Sequence, residues 1–367
     1  LYPSSNNNTI YNNTIYNNTL DGLNLDHSIN NTIYNNTIFN NSYHGIYLWS
    51  SINSTIFKNA MYNNNRDGLN LDHSINNTIC NNTIFNNSYG MPLHSSSSNI
   101  IFNNTIFNNS QCGIYLYPSS NNNTIYNNTI FNNSYHGIGL WSADNNTISS
   151  CNVFLNDWDG IHFDSSSNNS VILNNIYNNT WSGIFLTSSS NNILSSNYAY
   201  NNGNNGIWLS SSYKNNITCN NASNNSYAGI YLRDSSNNNS LANNTACING
   251  WSGIELWDNS NHNTLIDNTV KLNNHAGIYI HTVDNNTLFN NKVNSNAWSG
   301  IELWDSNNNI LVDNAVNTSS NTGIWLWSSS NNFLANNNVS NNSYGIYMYY
   351  SSNNNISSNT LSGNLIW

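Results

Sequence analysis

The sequence predicts an all-β fold, a parallel β-solenoid of about 16 coils, each of 22–24 residues and three short strands. Three observations predict it. A glycine followed by Ile, Leu or Met returns in steps of 22, 23 or 24 residues, from Gly22 through Gly45, Gly68 and Gly90 to Gly345. Between glycines the chain repeats Asn-Thr-Ile-x beats separated by Asn- and Ser-rich turns, which reads as short strands with period-2 alternation. No helix-forming stretch interrupts the series, and the chain has only three prolines. A unit of this size cannot bury its apolar face alone, but a stack of identical units can.

Each element of the coil follows from the alternation. In Gly45-Ile46-Tyr47-Leu48-Trp49, Ile46 and Leu48 point inward, while Tyr47 and Trp49 point out. In the two strands before it, Ile33 and Ile38 point in, and Thr32 and Thr37 point out. Four inward aliphatics per coil, at ~1.5–3 kcal/mol for each buried side chain, supply the core. The turn asparagines tolerate left-handed backbone, and stacked coil on coil they form amide ladders. Near-copies such as Asp21–Ile33 and Asp67–Ile79 point to duplication of a building block. The whole chain, 1–367, reads as a single solenoid domain. It starts and ends within a repeat, which leads to the expectation of an uncapped stack, either cut from a longer solenoid or joined end to end with other copies.

Composition narrows the function. Charged residues are 6% of the chain and aromatics 13%, with a net charge of -10. Disordered chains lack such aromatics. Six basic residues form no stripe that would neutralise phosphates, which excludes nucleic acid as a partner. No apolar run reaches 18 residues, so no membrane span is expected. The five cysteines fall at different offsets in their coils and read as apolar fillers, with room for one or two disulfides.

The pattern Gly-Ile-x-Leu…Ser-x-x-Asn-x-Ile…Asn resembles the right-handed parallel β-helix repeat family. That family includes pectate-lyase-like folds, carbohydrate-binding and sugar-hydrolase repeat domains, and the NosD-like copper-site maturation proteins. The resemblance covers the whole chain and implies right-handed winding. The Asn/Thr-rich composition is also similar to that of archaeal surface proteins. Fold alone does not fix function.

Several candidate sites follow. The outward face of the Gly-Ile-x-Leu strand carries Tyr47, Trp49, Tyr115, Tyr117, Trp141, Trp208, Tyr231, Trp257, Trp304, Trp325 and Trp327, a ribbon suited to sugar rings or to another protein surface. Acidic groups recur near it: Asp21 and Asp26 with His27, Asp67 and Asp72 with His73, Asp157, Asp159 and Asp164 with His162, then Glu255 with Asp258 and Glu302 with Asp305. Paired carboxylates flanking a groove suit glycoside hydrolysis. Lyase or epimerase chemistry also needs a charge neutraliser, and Arg233 is the basic residue this reading places on the face. His27 and His73, two coils apart, are too distant to share an ion, so neither a metal nor a cofactor is expected. Sequons at Asn12, Asn35, Asn81, Asn127 and Asn178 are glycosylation acceptors if the chain is secreted. The leading expectation is therefore a non-enzymatic, extracellular or cell-surface structural solenoid. Its partner is itself, through coil stacking and aromatic lateral contacts that build a filament, sheath or surface layer. The alternative is a carbohydrate-binding or carbohydrate-modifying (lyase- or epimerase-like) module, with surface glycans as partners.

Overall fold

The computed structural model describes residues 4–366, and the chain forms two compact units, Leu1–Thr180 and Trp181–Trp367. Every regular element among the described residues is a strand, and each unit is a parallel solenoid. Thr32–Tyr34, Thr37–Phe39 and Ile46–Trp49 typify the three strands of a coil. In the first unit the first sheet runs from Thr9–Tyr11 to Ser170–Ile172 and the second from Thr14–Tyr16 to Asn175–Tyr177. The third, built on the Gly-Ile-x-Leu strands, runs from Leu23–Asp26 to Ile161–Asp164. In the second unit the first sheet spans Ile193–Ser195 to Asn355–Ser357 and the third Ile184–Thr187 to Tyr344–Tyr349. The second sheet there is continuous only from Thr245–Cys247 onward. Toward Tyr198–Tyr200 it is held by single bridges through Asn221. The cause is local, since Cys219-Asn220-Asn221-Ala222 lacks the Thr-Ile-x beat.

Register sets like on like: Thr9 pairs with Thr32, Ile10 with Ile33, and Tyr11 with Tyr34. The predicted inward residues Ile33, Ile38, Ile46 and Leu48 are fully buried. The predicted amide ladders are present, and they are internal. The Asn36 backbone N–H and Nδ2 both donate to Asn59 Oδ1 at 3.0 Å, and Asn59 repeats this toward Asn82. Asn41, Asn64 and Asn87 form a second column, and Asn77, Asn99 and Asn123 a third. A serine column, Ser51 to Ser74 to Ser96, lines a further turn. The residue before a ladder member takes left-handed backbone, as Asn35 (φ 54°), Asn40 (55°) and Asn76 (56°) show, which turns the next side chain inward. Buried amides that exchange every donor and acceptor cost little, whereas unpaired ones would be expensive.

The glycine column has a second role. A Cβ on Gly22 would lie 2.5 Å from core Ile38 Cγ2, and one on Gly45 would lie 2.5 Å from the Gly68 carbonyl oxygen. The glycine therefore faces the core, as does the Ile after it, and strict alternation breaks at this point. The residues before Gly45, Gly68 and Gly90 accordingly line a cleft on the outer side of the sheet.

One expectation is corrected here. All five cysteines are free thiols; Cys80, Cys112, Cys151 and Cys247 are buried and Cys219 is exposed. They are fillers, as read, without disulfides.

Candidate functional site

The outward face of the third sheet carries three side-chain columns: the residue before Gly, and the second and fourth after it. Around Gly45, Gly68 and Gly90 these are His44, Tyr47, Trp49; Asp67, Asn70, Asp72; and Tyr89, Pro92, His94. All of them except Trp49 line a cleft of about 490 Å³ in the first unit, together with Arg66, Ser88 and Tyr117. That volume suits a small ligand or a few sugar rings.

The polar groups in the cleft are ordered by one another. His44 Nδ1 lies 3.0 Å from the Asp67 carboxylate, and Asn70 Nδ2 donates to the same carboxylate at 2.7 Å. The Tyr47 hydroxyl donates to Asp72 at 3.0 Å, and His73 Nδ1 approaches the other Asp72 oxygen at 2.6 Å. Tyr117 stacks on His94 with ring centroids 4.0 Å apart. Burial pushes His94 below the ordinary imidazole value despite the pull of Asp72 and Asp67, so it is a neutral base at pH 7. Burial, and then the hydrogen bond to Asp72, pushes the Tyr47 phenol well up; burial and contact with Tyr117 do the same for Tyr89. Both phenols keep their protons at neutral pH.

Arg66 was missed in the sequence. Its guanidinium sits 4.6 Å from the centroid of the Tyr43 ring, and among the described residues it makes no ion pair. Reading alternation forward from Gly68 stops short of position 66, which is why the cation went unassigned. Arg233, the basic residue expected on this face, is neutralised instead, 2.8 Å from Asp258 and 3.4 Å from Asp234.

The predicted aromatic ribbon is split by depth. Trp49 and Trp141 are exposed, Tyr47, Tyr115, Tyr117, Trp208, Trp257, Trp304, Trp325 and Trp327 are half-buried, and Tyr231 is buried. The most regular stack lies elsewhere, on the second sheet of the first unit. Tyr16, Phe39, Tyr62, Phe85, Phe107, Phe131, Phe154 and Tyr177 follow one another at 4.8–5.1 Å. Of the acidic pairs expected near this face, Glu255 with Asp258 and Glu302 with Asp305, the two glutamates are buried. Burial raises Glu255 to about 8 and Glu302 to about 7, so no open acid–base pair exists there. His27 and His73 bond to their own neighbours Asp26 and Asp72. A histidine cluster that the sequence did not reveal, His136, Asp159 and His162, forms farther along the same face. The sequon asparagines Asn12, Asn35, Asn81, Asn127 and Asn178 are all exposed and all occupy left-handed turn positions.

No curated protein matches the chain in sequence. Among solved structures, the A-module of the mannuronan C-5 epimerase AlgE6 from Azotobacter vinelandii superposes with a TM-score of 0.54 at 13% identity, covering 90% of this chain and 91% of that one. The catalytic domain of a GH87 alpha-1,3-glucanase in complex with nigerose gives 0.49 at 16% identity, over 83% of this chain and 61% of that one. The periplasmic alginate epimerase AlgG gives 0.45 at 14% identity, over 86% and 76%. The expectation of a non-enzymatic chain is thereby corrected: the fold it shares is one carried by a mannuronan epimerase. At these identities the likeness concerns the fold. The family model for the right-handed beta helix region matches residues 1–130, 119–246 and 252–365, and the chain belongs to that family.

Proposed function

We propose that the protein is a carbohydrate-modifying β-helix module whose site is the His44–Tyr117 cleft, and that it acts on an acidic sugar chain outside the cell. The observation that carries this reading is Arg66, an unpaired guanidinium at the mouth of a cleft that also holds a neutral histidine and two protonated phenols. Asp67 and Asp72 are already engaged by His44, Asn70, Tyr47 and His73. A uronate carboxylate is the natural partner for the remaining cation, and arginine binds carboxylates in a fork.

Neutralising that carboxylate makes the adjacent C5–H more acidic. Neutral His94 accepts the C5 proton, and a phenol (Tyr47 or Tyr89) donates one. Donation to C5 from the opposite face inverts the centre. Donation to the C4 oxygen as the C4–O bond breaks leaves an unsaturated sugar. The half-exposed Tyr115 and exposed Trp141 continue along the sheet as stacking surface for further rings. The structural similarity to a mannuronan epimerase supports the fold's suitability for this substrate class.

The test incubates the purified chain with mannuronan and polygalacturonate in D₂O. Deuterium at C5 or an unsaturated product is expected, with Arg66→Ala lowering the rate by about 10–100-fold, the value of a charge-assisted bond. Neither product on any polyuronate would overturn the reading, as would activity on a neutral glycan that Arg66→Ala leaves unchanged.

A further inference from the structure

The columns that build the cleft also converge at Gly137 and Gly160, where the residues before glycine are His136 and Asp159. His162 is the second residue after Gly160, in register with Gly139 of the coil before it. Because Gly139 has no side chain, the position between Tyr115 and His162 in that column is vacant of one. A Cβ there would strike the Tyr115 ring at 2.4 Å. The Tyr115 ring covers that gap, and His162 stacks on His136, with centroids 4.1 Å apart and planes 18° apart. Parallel rings held this way present both Nδ1 atoms to one carboxylate. His162 Nδ1 is 3.0 Å and His136 Nδ1 3.5 Å from the same Asp159 oxygen, Oδ2.

The burial is severe and one group is unsatisfied. His136 is 2% exposed and Asp159 1%, and His136 Nδ1 has no hydrogen bond although it aims into the cluster. A buried ring nitrogen without a partner is costly unless something else occupies its lone pair. The three ligand atoms lie within 4.8 Å of one another. Their 3.0 and 3.5 Å edges bracket the edge of about 3.3 Å expected for a tetrahedron with metal–ligand arms of roughly 2.0–2.1 Å.

We infer that His136, Asp159 and His162 form a binding site for one divalent first-row transition ion, with a fourth position left for water or a ligand. Two imidazoles and one carboxylate select such ions over Ca²⁺ and Mg²⁺, which require all-oxygen shells. The site stands apart from the acid–base reading of the His44–Tyr117 cleft and does not depend on it.

The experiment uses the full 367-residue chain, stripped with chelator and titrated with Zn²⁺ by calorimetry and with Co²⁺ by visible absorption. One equivalent is expected to bind, with the intense d–d bands of four-coordinate cobalt, unaffected by excess Ca²⁺. Asp159→Asn, nearly isosteric and unable to neutralise the ion, is expected to weaken binding by roughly 100-fold, at least the loss seen for an outer-shell partner. His162→Gln, at the more open edge of the cluster, should do the same, with circular dichroism confirming the folded state of both. Absence of binding overturns the inference. So does binding that both variants retain, which would place the ion on other histidines, and so does displacement of Zn²⁺ by equimolar Ca²⁺.

Discussion

Ile248 occupies a turn with φ 58° and is exposed, as are Leu173 at φ 60° and Leu272 at φ 58°. At the equivalent corners of other coils the left-handed residue is usually Asn, which tolerates that region, while a β-branched side chain crowds its own carbonyl there. Replacing Ile248 with Asn relieves the crowding and removes an exposed apolar group. Ile248→Asn is expected to raise stability by about 1 kcal/mol, read as a higher urea midpoint at unchanged slope. A midpoint at or below that of the parent would show that the corner carries no strain. At this scale the sequence was most readable for Asn and least for its substitutes. Cys151 stands within an asparagine column, its thiol near the Ile125 and Ser149 carbonyls while Asn174 Oδ1 accepts its backbone N–H. Nothing in its sequence neighbourhood says that a thiol fills an amide's place in the ladder.

The strand Ile254–Trp257 shows what an element can impose on a residue. Glu255 points outward by alternation, yet it is fully buried because Tyr231 and Tyr279 flank it in register and Tyr227 and Trp251 close over it. Loss of water holds its carboxyl protonated up to about pH 8, against an ordinary value of 4.5; Ser252, Tyr227 and Trp251 offset only part of this rise. The folded chain therefore binds more protons than the unfolded chain between those two values, and stability falls as pH rises through that window. Every tenfold change in proton affinity is worth about 1.4 kcal/mol. Thermal unfolding of the parent and of Glu255→Gln should coincide near pH 4 and diverge by pH 9, where the variant melts higher. Parallel curves across that range would remove the carboxyl from the account. The same scale explains what sequence reading could not reach. Period-2 alternation located Tyr47 and Trp49, but it fails across Gly68, where two successive residues face the core, and so it missed Arg66 and the outward turn of Asp67. The His136–Asp159–His162 cluster was hidden for the same reason, since His136 and Asp159 are the residues before Gly137 and Gly160 and meet His162 only where alternation breaks.

At the scale of the molecule the repeat was almost fully legible. The glycine period gave the coils, the Thr-Ile-x beats gave the two further strands, and the inward aliphatics are the observed core. The candidate sites were less legible because they arise from departures: an arginine at Arg66 where no other coil carries a basic Lys or Arg, histidines at His44 and His136 where several coils carry serine or alanine, and a glycine at Gly139 where many carry an aromatic. In a chain made of near-copies, chemistry sits where the copying is imperfect. The exposed sequons, by contrast, follow the period itself and mark the corners of the coil.

The ladders described above also fix how either unit yields to force. Each coil is tied to the next by backbone bonds and by amide pairs such as Asn36 to Asn59 and Asn41 to Asn64, all directed along the stacking axis. Tension applied along that axis opens those bonds in series and not in parallel shear. The weakest end coil peels before its neighbour is loaded. A coil of 22–24 residues releases about 75–85 Å of extended chain when it opens. Single-molecule pulling should therefore give a low-force sawtooth with that spacing, and one large cooperative rupture would contradict it. Built as a stack of near-identical turns, the protein should behave mechanically as a zip.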